Sequence, residues 1–196
     1  MSFNSRWLRI AKLSGKGMPL RFHGAARWTG WLAVLFIQGV AMANTDAFQL
    51  QGEGTLRWFG LKIYDARLFS TDRLAPERAL QHPFALELTY ARDFSGLKIA
   101  ETSLEEIRKL TGAPADRTEQ WFAQMQRIFP SVKSGDRLRG VYEPGRAAHF
   151  YFNSQFIGSV QDAEFARAFF SIWLDPRTTK PDLRSQLLGR ASSRTP

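Results

Sequence analysis

Four polar residues stand inside otherwise apolar, strand-like stretches and are the first candidates for chemistry. Arg57, Tyr64 and Arg67 lie close together in the chain, and Tyr90 ends the run "FALELTY". A guanidinium can hold a carboxylate or phenolate through two parallel hydrogen bonds, and a phenol both donates and accepts. Apolar clefts that contain one or two such groups are the usual sites for small ligands. We therefore take these four residues as ligand-binding candidates.

Two glycines just before Arg57 raise the alternative of a phosphate-binding loop. Gly52 and Gly54 begin a Gly-x-Gly pattern, but the third glycine of a dinucleotide fingerprint is replaced by Arg57. No helix follows to supply an N-terminus for a phosphate. The pattern is better interpreted as the start of a strand or as a bulge.

Residues for metal binding or nucleophilic catalysis are scarce. The chain has no cysteine, which excludes disulfides and thiolate metal sites. His82 and His149 are far apart, with no carboxylate at ligand spacing. No Gly-x-Ser-x-Gly elbow occurs, although a Ser–His–Asp triad assembled in space stays open. We predict no metal, no cofactor and no catalytic residue.

The positive charge of the chain is concentrated at its start. The formal net charge is +9, and residues 1–43 hold six basic residues and no acidic one. Subtracting these six leaves +3 on residues 44–196, where basic side chains are interspersed with acidic ones. Single-strand nucleic-acid sites need a basic groove with stacking aromatics, so we predict no nucleic-acid partner.

The first 43 residues have the layout of a secretory signal. A basic stretch precedes the apolar run "WTGWLAVLFIQGVAMA", which ends in Ala41-Met42-Ala43. The run is shorter than the ~20 residues that span a bilayer, which favours cleavage after Ala43 over an inner-membrane anchor. Met18 is an alternative start that gives a signal of more usual length.

Export to the periplasm follows from this interpretation, with membrane contact only through the signal segment during export. The mature chain is then expected to form one domain over residues 44–189. The polar tail over residues 190–196 is expected to be flexible.

Six stretches of the mature chain are predicted to be strands. "TLRWF", "LKIYDARLF" and "FALELTY" are rich in aromatic and β-branched residues, with Gly60 between the first two. "DRLRGVYE", "AAHFYF" and "QFIGSV" form a second set. Asn153-Ser154 joins the last two as a two-residue hairpin loop.

Helices are predicted after each set of strands. Ser103 and Glu106 have capping-box spacing, which predicts a helix that begins at "SLEEIRKL" and is followed by a second helix over 116–128. Later, Asp162 caps "AEFARAFFSIWL", and a last short helix ends at Gly189. The order βββ, αα, βββ, αα predicts an α+β fold, a large antiparallel sheet with helices packed on one face.

Four stretches of the chain resemble the chalcone isomerase-like family, in its bacterial exported branch. They are "GEGTLRWFGLKIYDARLF", "FALELTYARDFS", "FPSVKSGDRLRGVYEPG" and "FNSQFIGSVQDAEFARAFFSIWLDPRTTKPDLRSQLLG". The resemblance implies an open-faced β-sandwich with a ligand cleft between sheet and helices. Enzymes of the family close a flavanone ring there without a cofactor. Relatives without that activity bind fatty acids, using an arginine and a tyrosine for the carboxylate.

The chain departs from the family's enzymes at two positions. The resemblance places their threonine at Phe59, which can neither orient a water nor polarise a ketone. Their tyrosine after the strand "FALELTY" has no counterpart in "ARDFSGLKIAE". The groups for acid–base chemistry are therefore missing, and isomerase activity is not expected.

The arginine anchor of the ligand-binding relatives falls at Leu56. A local bulge would be needed to return Arg57 to the cleft, because one residue changes the face of a strand.

The hypothesis that follows is a non-catalytic periplasmic protein that binds a small amphipathic ligand, such as a fatty acid, in an apolar cleft. Two alternatives stay open. One is a chalcone isomerase-type intramolecular lyase or isomerase with a rearranged active site. The other is a structural or adaptor protein whose cleft is filled by its own side chains. No pattern indicates the oligomeric state.

Overall fold

A six-stranded antiparallel sheet covered by four helices makes up the computed structural model, which describes residues 48–189. The strands pair in chain order: β1 Gln49–Trp58, β2 Leu61–Ser70, β3 Phe84–Tyr90, β4 Arg137–Glu143, β5 Ala147–Phe152 and β6 Gln155–Val160. The helices are α1 Gly96–Leu110, α2 Ala115–Ile128, α3 Ala163–Leu174 and α4 Pro181–Leu187. A short 3-10 turn, Ala79–Gln81, precedes β3. The α+β prediction is confirmed. The predicted signal segment and flexible tail lie outside the described residues.

Alternation along the strands divides the side chains between two faces of the sheet. In β2, Tyr64, Ala66 and Leu68 are buried toward the helices, while Asp65 and Arg67 between them point the other way. We call the helix-covered side the inner face and the opposite side the outer face. The core lies between the inner face and the helices.

Aromatic rings of α3 fill much of this core. Phe169 meets Phe150 of β5 edge-on at a ring-centroid distance of 5.2 Å. Phe170 meets Phe84 of β3 edge-on at 5.1 Å. Edge-to-face contact is a favoured geometry for aromatic pairs, and it adds to the stabilisation from burial itself. Many of the aromatic residues in the chain therefore serve to fill the core.

The Gly-x-Gly pattern in β1 allows α4 to approach the sheet closely. A Cβ atom at Gly52 would collide with the carbonyl oxygens of Gln186 and Leu187, and one at Gly54 with the side chain of Gln186. Glycine is suited to such a close backbone approach. The pattern lies within a strand, which agrees with its interpretation as a strand start.

The first helix begins earlier than the capping-box prediction placed it. Its N-cap is Ser95, whose Oγ accepts a hydrogen bond from the backbone N–H of Lys98 at 3.1 Å. Ser103 lies in the helix interior and is buried, so the predicted start was wrong. The buried stripe extends upstream through Ala100 to Gly96, and tertiary packing of this added segment outweighs the local Ser-x-x-Glu signal.

Two hairpins of the sheet have the same kind of turn but different residues in it. Phe59 and Gly60 join β1 to β2 with φ of 46° and 78°, and Asn153 and Ser154 join β5 to β6 with φ of 46° and 73°. Positive φ at both central residues is the type I′ pattern, which favours asparagine and glycine. Phenylalanine is poorly suited to the left-handed region, because its Cβ crowds the backbone.

Replacing Phe59→Asn should therefore raise the free energy of unfolding by about 1 kcal/mol, as the strain of the turn is relieved. Urea denaturation would measure this. The reciprocal change Asn153→Phe should lower the same free energy by more, because the Asn153 side chain also accepts from the backbone N–H of Arg137 at 2.9 Å. A loss of stability in Phe59→Asn would contradict the strain argument.

Asp162 caps the N-terminus of α3 and bonds to side chains of α2. Its carboxylate accepts from the backbone N–H groups of Glu164 at 2.9 Å and Phe165 at 3.1 Å, and from Trp121 Nε1 at 3.0 Å. Arg117 lies 3.2 Å away. Partial burial acts to raise the pKa of Asp162. The hydrogen bonds and the charge of Arg117 outweigh burial, so the pKa is lowered.

Asp162→Ala should lower the free energy of unfolding by about 2 kcal/mol at pH 7, because the cap and the acceptor for Trp121 are both lost. A carboxyl with a lowered folded pKa stabilises the fold above its unfolded pKa of about 3.9, and this stabilisation is lost as pH falls through the folded value. The stability difference between wild type and variant in urea denaturation should therefore begin to shrink near pH 4 and be largely lost only below the folded pKa of Asp162, which lies lower. A difference in stability independent of pH would contradict this role for the charge.

Candidate functional site

The four candidate residues lie on opposite faces of the sheet. Tyr64 and Tyr90 are buried on the inner face and are direct partners in the β2–β3 register. Arg57 and Arg67 lie on the outer face, and Arg57 is exposed. The structure therefore brings the two tyrosines together and keeps both arginines away from them.

A bulge is present where the sequence raised one, but it leaves Arg57 outside. Leu56 pairs with Tyr64, and Arg57 pairs with Lys62, so the extra residue is Ile63 on β2. Because β1 itself is continuous here, Arg57 still alternates away from Leu56. Its Nη1 atom donates to the carbonyl oxygen of Gly60 at 3.3 Å.

The inner-face tyrosines, which we call the tyrosine pair, are held by aromatic neighbours. The hydroxyl of Tyr64 accepts a hydrogen bond from Nε1 of Trp173 at 2.9 Å. The rings of Tyr64 and Tyr90 meet edge-on at 5.9 Å, and Phe94 lies 5.8 Å from Tyr90. Helix α3 and the loop before α1 thus enclose the pair from two sides.

Both phenols of the tyrosine pair remain protonated at neutral pH. Burial raises the pKa of Tyr64, an effect that the Trp173 hydrogen bond opposes and the charge of Glu106 reinforces. Burial also raises the pKa of Tyr90. Within residues 48–189, no acceptor takes the proton of either hydroxyl. Each phenol of the pair therefore has a proton that it could donate to an acceptor other than the described part of the chain.

A charged carboxylate lies near the tyrosine pair on α1. Glu106 accepts from Thr179 Oγ1 at 2.6 Å and from Lys109 Nζ at 2.9 Å. Partial burial acts to raise the pKa of Glu106, but these hydrogen bonds and the charges of Lys109 and Lys180 lower it overall. The basic side chains offset the negative charge that Glu106 would present to an anionic ligand.

Exposed apolar side chains lie at the same end of the sheet as the tyrosine pair. Trp58, Phe59 and Leu61 form the end of the β1–β2 hairpin, and Leu97 is in the first turn of α1. By alternation, Trp58 and Leu61 fall on the inner side of the hairpin. The buried phenols thus lie behind an apolar edge, which is the arrangement that an amphipathic ligand requires.

A pocket of about 230 Å³ opens on the outer face, lined by Glu87, Arg137, Arg139, Tyr151 and Ser154. The guanidiniums of Arg67 and Arg139 lie over the Phe69 ring at 5.0 and 5.4 Å. Their Nε atoms are buried without a hydrogen-bond partner. Sequence reasoning missed this pocket, although a glutamate inside the apolar strand "FALELTY" was a signal for it.

A smaller pocket of about 70 Å³ lies between the 3-10 turn and α3, beside Leu80 and Leu174. Neither pocket is lined by the tyrosine pair. Sequence reasoning also missed the link between Trp173 and Tyr64, which lie far apart in the chain. A buried indole N–H needs an acceptor, and Tyr64 was the polar group in a facing strand.

Metal binding finds no support in the part of the chain that the structure describes, where no three histidine or acidic side chains cluster at ligand distance. His149 instead contacts Glu143 at 3.1 Å between Nε2 and the carboxylate.

Over residues 48–189, no helix is long and apolar enough to cross a membrane.

The Trp173–Tyr64 hydrogen bond can be tested with matched variants of the tyrosine pair. Tyr64→Phe should lower the free energy of unfolding by about 1–3 kcal/mol, because the indole N–H stays buried without an acceptor. Tyr90→Phe removes a hydroxyl with no such partner and should change it by less than about 0.5 kcal/mol. Urea denaturation would compare them, and equal effects would contradict the assignment.

Comparisons with known proteins agree with the fold described above. A solved structure of a fatty-acid binding protein from Arabidopsis thaliana matches 73% of the chain and 87% of its own, with a TM-score of 0.54 and 12% identity, so the two share a fold. An uncharacterized protein of Haemophilus influenzae is 32% identical over 162 residues, which are 83% of this chain and 78% of that protein. The sequence profile of the chalcone isomerase-like family matches residues 36–189. The chain therefore belongs to the chalcone isomerase-like family.

Proposed function

We propose that this protein is an exported, non-catalytic binder of a small amphipathic ligand, with a fatty acid as the leading class. The observation that carries the proposal is the tyrosine pair, two buried phenols whose protons have no acceptor within residues 48–189. A carboxylate or carbonyl oxygen would accept from Tyr64 and Tyr90. The apolar portion of the ligand would lie along Phe94 toward the exposed apolar edge.

Several observations favour binding over catalysis. The raised pKa values of Tyr64 and Tyr90 make both phenols proton donors rather than bases at neutral pH. Phe59 stands on the exposed hairpin end with no hydroxyl to offer. The fold shared with a fatty-acid binding protein supports the ligand class. Export, for which residues 1–43 provide the sequence pattern, would place the binder in the periplasm.

The region around the tyrosine pair has to open for a ligand to enter. The Trp173–Tyr64 hydrogen bond closes it from the helix side. The pockets of about 230 and 70 Å³ lie elsewhere and are below the ~300 Å³ of ordinary ligand sites. We propose that the β1–β2 hairpin end is the part that moves, because its apolar side chains are exposed and contribute little to the core.

The same close packing favours a second candidate, a structural or adaptor protein whose cleft is filled by its own side chains. The two candidates differ in one measurable property. A binder must gain thermal stability from a ligand, whereas a filled cleft gains none. Turnover of a chalcone that disappears in Tyr90→Phe would instead support the rearranged enzyme.

Native mass spectrometry of protein purified from exporting cells should show a bound species with the mass of an amphipathic acid, and added fatty acid should raise the melting temperature. Tyr90→Phe should weaken fatty-acid binding by about tenfold or more, since a hydrogen bond to a charged group contributes about 1.5–3 kcal/mol.

Tyr151→Phe is the matched control, because Tyr151 lines the outer-face pocket and its loss should leave fatty-acid affinity unchanged. No bound species together with no thermal shift would contradict the proposed function. Equal weakening by Tyr90→Phe and Tyr151→Phe would contradict the placement of the ligand.

A further inference from the structure

We propose that the end of the β1–β2 hairpin inserts into the headgroup region of an anionic phospholipid bilayer. This surface, which we call the hairpin tip, consists of Trp58, Phe59 and Leu61. The proposal does not depend on the proposed function. It departs from the sequence expectation that the protein meets a membrane only through its leading segment.

The hairpin tip is apolar and projects into solvent. Trp58 is 64% exposed, Phe59 88% and Leu61 51%. The Trp58 and Phe59 rings contact each other with centroids 5.0 Å apart. Single exposed apolar residues need no explanation, but three grouped on one turn mark an interaction surface.

The conformation of Phe59 argues that its side chain serves a purpose other than folding. It occupies the left-handed region at φ 46°, where the matching turn of the same sheet has Asn153 at the same φ. Local energetics therefore favour asparagine at position 59. At this exposure, the ring of Phe59 gains too little burial to offset the strain. Strained residues of this kind cluster at binding sites.

Charge at the hairpin tip fits an anionic surface. Arg57 and Lys62 flank it on both strands and are direct register partners. The facing acidic residue is Asp65, whose carboxylate lies 2.6 Å from Lys62 Nζ, so these three residues have one net positive charge. Tryptophan beside basic residues is typical of the bilayer interface, where indole lies at headgroup level and cations meet lipid phosphates.

A bilayer fits this tip better than a protein partner does. Two aromatic side chains and a leucine offer on the order of 500 Å², whereas a specific protein interface buries about 1,000 Å² or more. A convex two-residue turn also offers no groove for a partner. Shallow insertion needs only this area together with electrostatic attraction, and the two contributions act jointly.

The chain contains no cysteine, so a single introduced cysteine can be labelled at one chosen position. The protein for this test is purified from the cells that express and process it. Leu61→Cys, labelled with an environment-sensitive fluorophore, reports from the tip. Leu50→Cys, at the far end of β1 and similarly exposed, is the control. Lipid-borne quenchers in phosphatidylglycerol vesicles should quench the label at 61 and leave the label at 50 unchanged. Pure phosphatidylcholine vesicles should give little quenching at 61, because the electrostatic attraction is missing.

Adding Phe59→Asn to the labelled Leu61→Cys protein separates insertion from folding. This change is expected to stabilise the fold, so a reduction of quenching by about fivefold or more would reflect lost insertion rather than unfolding. Equal quenching at positions 50 and 61, or quenching at 61 unaffected by Phe59→Asn, would overturn the proposal. Self-association without vesicles that Phe59→Asn abolishes would also overturn it, in favour of a second copy of the chain.

Discussion

The hydrogen bond from Trp173 to Tyr64 is the interaction on which the arrangement of the site depends. It joins α3 to β2 across 109 positions of sequence, inside the core. A buried indole N–H and a buried hydroxyl are each costly to leave unpaired, so each restricts where the other can lie. Together with the ring contacts of Phe169 and Phe170, the bond restricts the rotation of α3 on the sheet. It also occupies one lone pair of Tyr64 and leaves the phenol proton available for another acceptor.

The register of the first two strands then decides which chemistry each face of the sheet can offer. Within the described strands, the inner face places no basic side chain beside Tyr64 and Tyr90, and the outer face has Arg57, Arg67 and Arg139, with Glu87 among them. A ligand held between sheet and helices would therefore be oriented by neutral hydrogen-bond donors rather than by a guanidinium. Such a site has weaker electrostatic attraction for a carboxylate, and much of its affinity has to come from apolar contact.

The two hairpin turns show how local energetics and surface chemistry can diverge within one sheet. The β5–β6 turn has Asn153, a residue that its backbone conformation favours. The Asn153 side chain also accepts from the backbone N–H of Arg137 and donates to the carboxylate of Asp136. The β1–β2 turn has the same geometry with an aromatic residue that faces solvent. Burial cannot account for that choice. A contact outside the chain can, which connects the strain to the proposed bilayer surface and to an apolar edge near the tyrosine pair.

Local sequence signals are enough to predict the element types and the class of the fold. Period-two alternation, turn residues and apolar stripes are local signals, and they sufficed for six strands, four helices and the antiparallel arrangement. The same local signals misplaced the start of α1, because packing of Ala100 against the core outweighs a Ser-x-x-Glu pattern. They also identified Tyr64 and Tyr90 as polar groups in apolar strands. Local signals do not show that these two tyrosines meet, that Trp173 donates to Tyr64, or that Arg57 and Arg67 lie on the other face. Those outcomes depend on strand register and on a one-residue bulge at Ile63, and the free energy that sets them comes from contacts between residues far apart in the chain.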